Sequence, residues 1–175
     1  MRSSKSSTSL QEKSARCDAV HAQKFKAAAL GGTFDILHIG HERLLRKAFE
    51  ISDEVVIGLS SDEFAKRRGK SPVHSYEDRR ASLEAYLKDA FPGRKFTIAK
   101  LENNFGPTIT DQKIEALVAS EETSPRIDEM NEIRAEHNAK PVKLVTVPLA
   151  RDGDGKIIST TRIRNKEIDR EGNPV

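Results

Sequence analysis

The chain lacks the features of a secreted or membrane protein. Its single cysteine, Cys17, excludes an internal disulfide framework and favours a reducing compartment. No apolar run approaches the roughly 20 residues that a membrane-spanning helix needs, and the N-terminus has no apolar secretion segment. The chain has 175 residues, of which 33% are charged. We therefore expect one domain, a cytoplasmic location and no membrane partner.

Several kinds of chemistry are also missing from the sequence. No Walker A pattern (G-x-x-x-x-G-K-[ST]) occurs, which argues against a P-loop kinase. His21, His74 and His137 lie in no zinc-ligand spacing, so we predict no structural metal site. The sequence shows no paired nucleophile and base of the kind that covalent catalysis uses. These patterns favour neither a P-loop kinase, nor a zinc protein, nor an enzyme with a covalent intermediate.

The positive charge of the chain lies at its N-terminus. The formal net charge is +3, yet residues 1–26 hold six Lys/Arg and two Asp/Glu, so the remainder is close to neutral. A nucleic-acid-binding domain more often has Lys/Arg on one face, so we expect no nucleic-acid partner. Residues 1–24 are predicted to form a flexible, basic, Ser-rich leader, and residues 25–175 the folded domain. An organelle transit peptide is the alternative for the leader, and Glu12 and Asp18 weaken it.

From residue 25 onward, short apolar runs alternate with helical periodicity. Strands are predicted at 27–30, 54–60, 96–101, 114–120 and 143–149, and helices at 42–51, 62–68, 75–90 and 126–138, with a last helix beginning near Ser159. Strands separated by helices imply a parallel sheet with helices on both faces. We therefore predict an α/β fold, a single Rossmann-like domain with a five-stranded parallel sheet, which binds ligands at the carboxyl ends of its strands.

The most informative segment is GGTFDILHIGH at 31–41, which follows the first predicted strand. Its paired glycines form a turn, and His38 and His41 lie three residues apart, on one face of the next helix. A strand end, a glycine turn and a helix start bring together backbone N–H groups, a helix dipole and two imidazoles, which suit a phosphate chain. Gly40 is expected to let phosphate approach the backbone between the rings. The competing interpretation is a pair of capping or core histidines.

A second segment, ISTTRIR at 158–164, follows the last predicted strand and a Gly-rich turn. Its three hydroxyl groups and Arg162 suit a polyphosphate, although an ordinary helix N-cap uses the same residue types. Because both segments follow strands, we expect them to meet at one edge of the sheet.

Other polar segments have weaker interpretations. A basic run after the second strand holds Lys66, Arg67, Arg68 and Lys70, and it is either a solvated face or a phosphate-binding loop. SEET at 120–123 also follows a strand, and its carboxylates either contact a base or ribose or cap the next helix. Of the adjacent Arg79 and Arg80, one is expected to face solvent.

With GGTFDILHIGH near its start and ISTTRIR near its end, the chain resembles the nucleotidylyltransferase superfamily, which shares a Rossmann-like sheet, an HxGH motif and an ISSTRIR-like motif. It is most similar to the archaeal and eukaryotic type of phosphopantetheine adenylyltransferase. The segments that carry this similarity are GLSSDEF at 58–64, SYEDRR at 75–80, SEET at 120–123 and IDREGNPV at 168–175. The bacterial branch has an arginine-bearing motif in place of SEET, so its nucleotide contacts there are not transferred.

This resemblance implies transfer of AMP from ATP to 4′-phosphopantetheine, which gives dephospho-coenzyme A and pyrophosphate, a step of coenzyme A biosynthesis. By motif, His41 stabilises the transition state, His38 binds phosphate and Thr33 orients the attacking phosphate. The implied nucleotide-binding residues are Gly31, Gly32, Thr33, His38, His41, Ser159, Thr160, Thr161 and Arg162. A family lysine against phosphate corresponds to Lys66 or Lys70. Mg²⁺ is expected to enter with ATP, since no carboxylate pair marks a site for it.

Two main alternatives stay open at this point, and nicotinamide mononucleotide adenylyltransferase is a further, less similar option. Cytidylyltransferases acting on glycerol phosphate or choline phosphate share much of GTFDILHIGH and ISTT, although SEET and the GNPV tail favour the pantetheine acceptor. A non-catalytic nucleotide-binding relative is the second alternative, and the intact histidines and hydroxyl-rich segment argue against it. We expect a monomer.

Overall fold

The computed structural model describes residues 24–122 and 124–175. Apart from Lys24, the predicted leader lies outside the described residues, as do Cys17, His21 and Thr123. No helix in the described part of the chain is long and apolar enough to cross a membrane.

A five-stranded parallel sheet with strand order β3-β2-β1-β4-β5 forms the centre of the molecule. Its strands are β1 (Phe25–Gly32), β2 (Ser52–Ser60), β3 (Lys95–Leu101), β4 (Ile114–Ser120) and β5 (Lys143–Val147). β2 and β3 lie on one side of β1, and β4 and β5 lie on the other side, so the strand order reverses between β1 and β4. The carboxyl ends of β1 and β4 flank this reversal, which is where open α/β sheets bind ligands.

Helices cover both faces of the sheet, as the alternating pattern predicts. Within the described residues they are α1 (Ile39–Ile51), α2 (Asp62–Arg67), α3 (Tyr76–Ala90), α4 (Ile127–Glu136) and α5 (Thr160–Arg164), with 3-10 helices at Gly106–Ile109 and Ser124–Arg126. On one face, Leu30 of β1 packs in a cluster with residues of α1 and α3. On the other face, Ala29 of β1 lies in a cluster with Met130 of α4. The predicted fold class is confirmed.

Local chemistry explains where the elements begin and end. The predicted cap at Ser75 is present as a variant of the capping box, because the Ser75 hydroxyl accepts from the Asp78 N–H and donates to the Asp78 carboxylate. β5 ends at Val147, two residues earlier than predicted, because Pro148 has no N–H to continue the ladder. α4 is also shorter than predicted, since residues 124–126 form a 3-10 turn and Asn138 adopts a left-handed backbone (φ 55°).

Arg134 of α4 is fully buried and fastens the loops on the α4 face. Its guanidinium donates to the carbonyls of Thr108, Asp111 and Ile114, and its Nε donates to the Lys140 carbonyl. Arg134 therefore helps to hold the loop between β3 and β4, for which the sequence predicts no regular structure, together with Phe105 and Ile109, which pack against the cluster on this face. Buried carbonyls without such a donor are costly.

Replacing this side chain tests its structural importance. Arg134→Met keeps an unbranched side chain but leaves these buried carbonyls without a donor, so we expect the free energy of unfolding in urea to fall by about 3 kcal/mol. The exposed Arg126→Met is the matched control and should change stability by less than about 0.5 kcal/mol. Equal stability of the two variants would contradict this account.

Candidate active site

The first motif begins where β1 ends. Gly32 of β1 is paired in register with Leu59 of β2, so the two strand ends are level. After Thr33 the chain turns at Phe34, which has a left-handed backbone (φ 47°) and a buried ring. A side chain at position 32 would come within 3.0 Å of that ring. Gly32 therefore lets the Phe34 ring pack against the turn.

His38 is the N-cap of α1, which begins three residues earlier than predicted. Its Nδ1 accepts a hydrogen bond from the Gly40 N–H at 3.1 Å. His38 is only 7% exposed, and burial lowers its pKa to about 4, so the ring is neutral near pH 7. Because Nδ1 accepts, the proton of the neutral ring lies on Nε2, which is left as a donor.

His41 packs on His38. The centroids of the two imidazoles are 3.9 Å apart, and the Phe34 ring lies 4.9 Å from His41. Burial lowers the pKa of His41 to about 3; the neighbouring His38 adds to this shift and the Ile36 backbone opposes it. Its Nδ1 is buried and has no hydrogen-bond partner among the residues described. The pair is therefore suited to donate hydrogen bonds as neutral rings rather than to act as cations.

The structure gives Gly40 a different role from the predicted one, which was to let phosphate approach the backbone. A Cβ at position 40 would lie 2.9 Å from Cε1 of His38 and 3.0 Å from its Nδ1. The space beside Gly40 is thus filled by the His38 ring and is not an open approach for phosphate. Glycine is needed here because the ring folds back over the first turn of the helix.

The first backbone N–H groups of α1 are also engaged within the protein. The N–H of Ile39 donates to the Arg170 carbonyl, that of Gly40 to His38 Nδ1, and those of residues 41 and 42 to the His38 carbonyl. The sequence suggested that such groups hold phosphate. With these N–H groups occupied, the imidazoles are the donors that this helix start can offer.

The second motif forms a short capped helix. The Ser159 hydroxyl accepts from the Arg162 N–H at 3.4 Å, which is the ordinary capping arrangement. The Arg162 guanidinium contacts the Asp152 carboxylate at 2.7 Å and the Glu167 carboxylate at 3.0 Å, and it donates to the Ile157 carbonyl. Arg162 thus joins the preceding turn to the segment after α5, and the phosphate contact implied for it stays a prediction.

This second segment lies against the start of α1. A buried cluster of Ala150, Ile158 and Ile168 is covered by Ile39 from α1 and Ile163 from α5. The Ile39 N–H donates to the Arg170 carbonyl at 3.1 Å, so the start of α1 is also hydrogen-bonded to the C-terminal segment that follows α5. The structure therefore brings together the two elements that carry the predicted motifs, with Thr160 half-buried and Thr161 exposed.

The basic loop after α2 is tied to both motifs. Asp35, whose carboxylate is only 4% exposed, accepts from the N–H groups of Val73 and His74 and contacts His74 Nδ1 at 3.0 Å. From the other side, Arg164 of α5 donates to the Ser71 carbonyl at 2.7 Å. The loop therefore borders the same edge of the sheet.

Both lysines of that region are exposed. Lys66 lies in the last turn of α2, and Lys70 follows the left-handed Gly69 (φ 70°). Neither position selects one lysine over the other as the phosphate-binding residue. In the third polar segment, Glu121 and Glu122 are exposed at the end of β4.

A small cavity of about 40 Å³ opens on the α4 face of the sheet. Its lining includes Gly31, Gly58 and Leu101 from the ends of β1, β2 and β3, Phe105 from the loop between β3 and β4, and Met130 from α4. A Cβ at position 58 would lie 2.6 Å from the Leu101 side chain. Because Gly31 and Gly58 have no side chains, the Leu101 side chain can pack over the carboxyl ends of β1 and β2.

A model of the cytidylyltransferase-like family matches residues 29–166, which include both motifs and the strands and helices between them. The chain belongs to this family. Its predicted relationship to the nucleotidylyltransferases is confirmed.

Curated relatives within the family share most of the length of this chain. The phosphopantetheine adenylyltransferase of Methanopyrus kandleri is 38% identical over 83% of this chain and 92% of its own. The enzymes of the same name from Pyrococcus furiosus and Methanosarcina mazei are 40% and 42% identical, over 87% and 82% of this chain and 96% and 94% of theirs. A solved protein of unknown function from Archaeoglobus fulgidus is 31% identical, with a TM-score of 0.62 over 69% of this chain and 88% of its own.

Several residues that shape this family site are not evident from the sequence. Asp35 lies within the first motif, but nothing in the sequence indicates that it binds backbone N–H groups 38 residues later. Arg79 and Arg80 look alike, yet Arg79 is 1% exposed and Arg80 lies at the surface. A signal was present for Arg79, since a residue in the first turn of an amphipathic helix faces the sheet at a fixed spacing.

The two lowered histidine pKa values predict acid sensitivity. Between pH 6.5 and about 4 the unfolded chain binds protons at His38 and His41 that the folded chain does not, so stability is lost as the pH falls. Each histidine should lower the free energy of unfolding by about 1.4 kcal/mol per pH unit. Urea unfolding at pH 7.5, 6.5 and 5.5 measures the slope. His41→Asn should flatten it relative to the exposed control His137→Asn, and equal slopes would contradict the assignment.

Gly40→Ala tests the packing of the rings. The added Cβ must displace His38, so we expect the His38 imidazole to become more accessible and its pKa to rise towards 6.5, as measured by NMR titration. Gly153→Ala is the matched control, since a Cβ there meets nothing within 4 Å. A His38 pKa that stays near 4 in Gly40→Ala would show that the ring does not depend on this glycine.

Proposed function

We propose that this protein is a phosphopantetheine adenylyltransferase that transfers AMP from ATP to 4′-phosphopantetheine. The observation that carries the proposal is the packing of the start of α1, with its two neutral histidines, against the segment that leads into α5. The curated relatives named phosphopantetheine adenylyltransferase, which match along most of the chain, support the choice of acceptor.

In the proposed reaction, an oxygen of the acceptor phosphate attacks the α-phosphorus of ATP as the bond to the β-phosphate oxygen breaks. The products are dephospho-coenzyme A and pyrophosphate, and negative charge grows on the transferred group and the leaving group. His41 and His38, kept neutral by burial, would donate hydrogen bonds to those oxygens. Positioning and charge stabilisation are then the main sources of rate enhancement.

The nucleotide phosphates are proposed to lie between the start of α1 and residues 159–162. Gly31, Gly32 and Thr33 would bound the site from the end of β1, with Thr33 orienting the attacking phosphate. The acceptor phosphate would be held by Lys66, in the last turn of α2, or by Lys70, in the loop tied to Asp35. The apolar cavity on the α4 face is proposed to widen for the uncharged arm of the acceptor.

The proposed metal is a Mg²⁺ ion that arrives bound to ATP as part of the substrate. The described residues contain no group of three or more His, Cys, Asp and Glu side chains placed to hold a metal ion. The carboxylates near the two motifs are engaged within the protein, Asp35 by backbone N–H groups and Asp152 and Glu167 by Arg162, so they do not form the oxygen cage that Mg²⁺ prefers. We further propose a monomer in the cytoplasm that acts on these small molecules without a nucleic-acid partner.

A panel of substrates tests the proposed activity. The full chain is incubated with ATP or CTP and with 4′-phosphopantetheine, glycerol 3-phosphate or choline phosphate, and pyrophosphate release is measured. We expect release with ATP and 4′-phosphopantetheine. Release only with CTP would instead establish a cytidylyltransferase, and ATP binding without release for any acceptor would establish a non-catalytic relative.

His41→Ala serves as the control for the site within the same assay. Losing one donor to the developing charge should lower kcat about a hundredfold or more. A variant that stays folded, as judged by its circular dichroism, and keeps its turnover would remove His41 from the mechanism.

A further inference from the structure

Arg79, in the first turn of α3, is the most enclosed charged side chain on the α1 and α3 face of the sheet. Its side chain is 0% exposed, whereas the neighbouring Arg80 lies at the surface. Burial of a guanidinium is costly unless its donors are satisfied. The contacts that satisfy Arg79 therefore indicate why it is there.

Every polar nitrogen of Arg79 bonds to a different part of the sheet edge. Nη1 donates to the Thr33 carbonyl at 2.6 Å and Nε to the His74 carbonyl at 3.2 Å. Nη2 donates to the Ser60 carbonyl at 2.9 Å and to the Asp62 carboxylate at 2.7 Å. The hydrogen bond from Arg79 lowers the pKa of Asp62, so the arginine meets an ionised partner.

These acceptors lie at the ends of two strands and the starts of two helices. Thr33 follows β1, Ser60 ends β2, Asp62 begins α2, and His74 directly precedes the cap of α3. The Asp62 carboxylate also accepts from the Tyr76 N–H, which joins α2 to α3 a second time. One side chain therefore fixes two strand ends and two helix starts relative to one another.

The same elements carry the proposed acceptor-phosphate residues. The Thr33 carbonyl accepts directly from Arg79. Lys66 lies one helical turn after Asp62, and Lys70 lies in the loop that ends at His74. The proposed nucleotide side has separate fastenings, namely the Ile39 bond to Arg170 and the Arg162 pair with Asp152. Loss of Arg79 should therefore disturb one half of the site more than the other.

We propose that Arg79 is a positioning residue for the acceptor half of the site, an inference that rests on the proposed function. Its planar fork spreads donors toward acceptors on four elements, and a lysine ammonium in the same pocket has only three donors on one atom. Displacement of a phosphate-binding group by about 1 Å is enough to lower a rate by up to about a hundredfold.

Arg79→Lys and Arg80→Lys form a matched pair for steady-state kinetics on the full chain. In Arg79→Lys we expect the KM for 4′-phosphopantetheine to rise at least about tenfold and kcat to fall, while the KM for ATP changes less than about twofold. Arg80→Lys should match the unmodified protein. An unchanged acceptor KM in a folded Arg79→Lys protein, or an equal rise in both KM values, would overturn the proposal.

Asp62→Asn decides the matter if Arg79→Lys fails to fold. This variant keeps the carbonyl contacts of Arg79 but removes its charge partner, so the acceptor KM should still rise about threefold with the ATP KM unchanged. No change in the acceptor KM would overturn the proposal.

Hydrogen exchange separates this inference from the proposed function. If the unmodified protein releases no pyrophosphate with any acceptor, the proposed function fails. The effect of Arg79 on the loop that ends at His74 can still be measured by hydrogen exchange. The amides of Val73 and His74 should exchange faster in Arg79→Lys than in Arg80→Lys. Equal exchange in the two variants would overturn the positioning by Arg79.

Discussion

The site depends on burying two imidazoles at the start of one helix without charging them. His38 folds back over the first turn, where its Nδ1 accepts from the Gly40 N–H, and this fold requires a glycine two residues after it. His41 then lies within stacking distance of His38 on one side and Phe34 on the other. Desolvation at this helix start lowers the pKa of both rings, so both are neutral near pH 7. The same packing occupies the backbone N–H groups of the helix start, which leaves side chains to contact a ligand.

The two halves of the candidate site are built by different means. Near α1 and α5, an apolar cluster around Ile158 and the bond between Ile39 and Arg170 bring residues far apart in the chain together. Near α2 and α3, side chains of opposite charge bind backbone groups, with Arg79 on carbonyls and Asp35 on N–H groups. The Arg164 bond to the Ser71 carbonyl spans the two halves.

Much of the fold can be predicted from the sequence because the strands are apolar runs between clear helix signals. The run before Gly31 and the capping box at Ser75 indicate their elements correctly, and the two motifs predict a shared sheet edge. The contacts of Arg79 could not be predicted, since they depend on which carbonyls at the ends of two strands have no hydrogen-bond partner within the sheet. The use of Gly40 was also hidden, because the sequence does not show where the His38 ring turns. The loop from residue 102 to 113 has no periodicity, and its position depends on Arg134, which lies more than 20 residues away in the chain.

Arg79 and Arg134 show a common solution to a problem of small parallel sheets. Strand ends and the loops that follow them present carbonyls that no ladder or helix satisfies, and burying these groups unpaired is costly. Fully buried guanidinium groups supply such donors on both faces of this sheet, Arg79 on the α1 and α3 face and Arg134 on the α4 face. Arg79 has the Asp62 carboxylate beside it, whereas the hydrogen-bond acceptors of Arg134 are backbone carbonyls alone. The face with the ionised partner is the one that borders the proposed phosphate sites. Asp62 offsets the charge of Arg79 there, and the exposed Lys66 and Lys70 are the cations proposed to hold the acceptor phosphate.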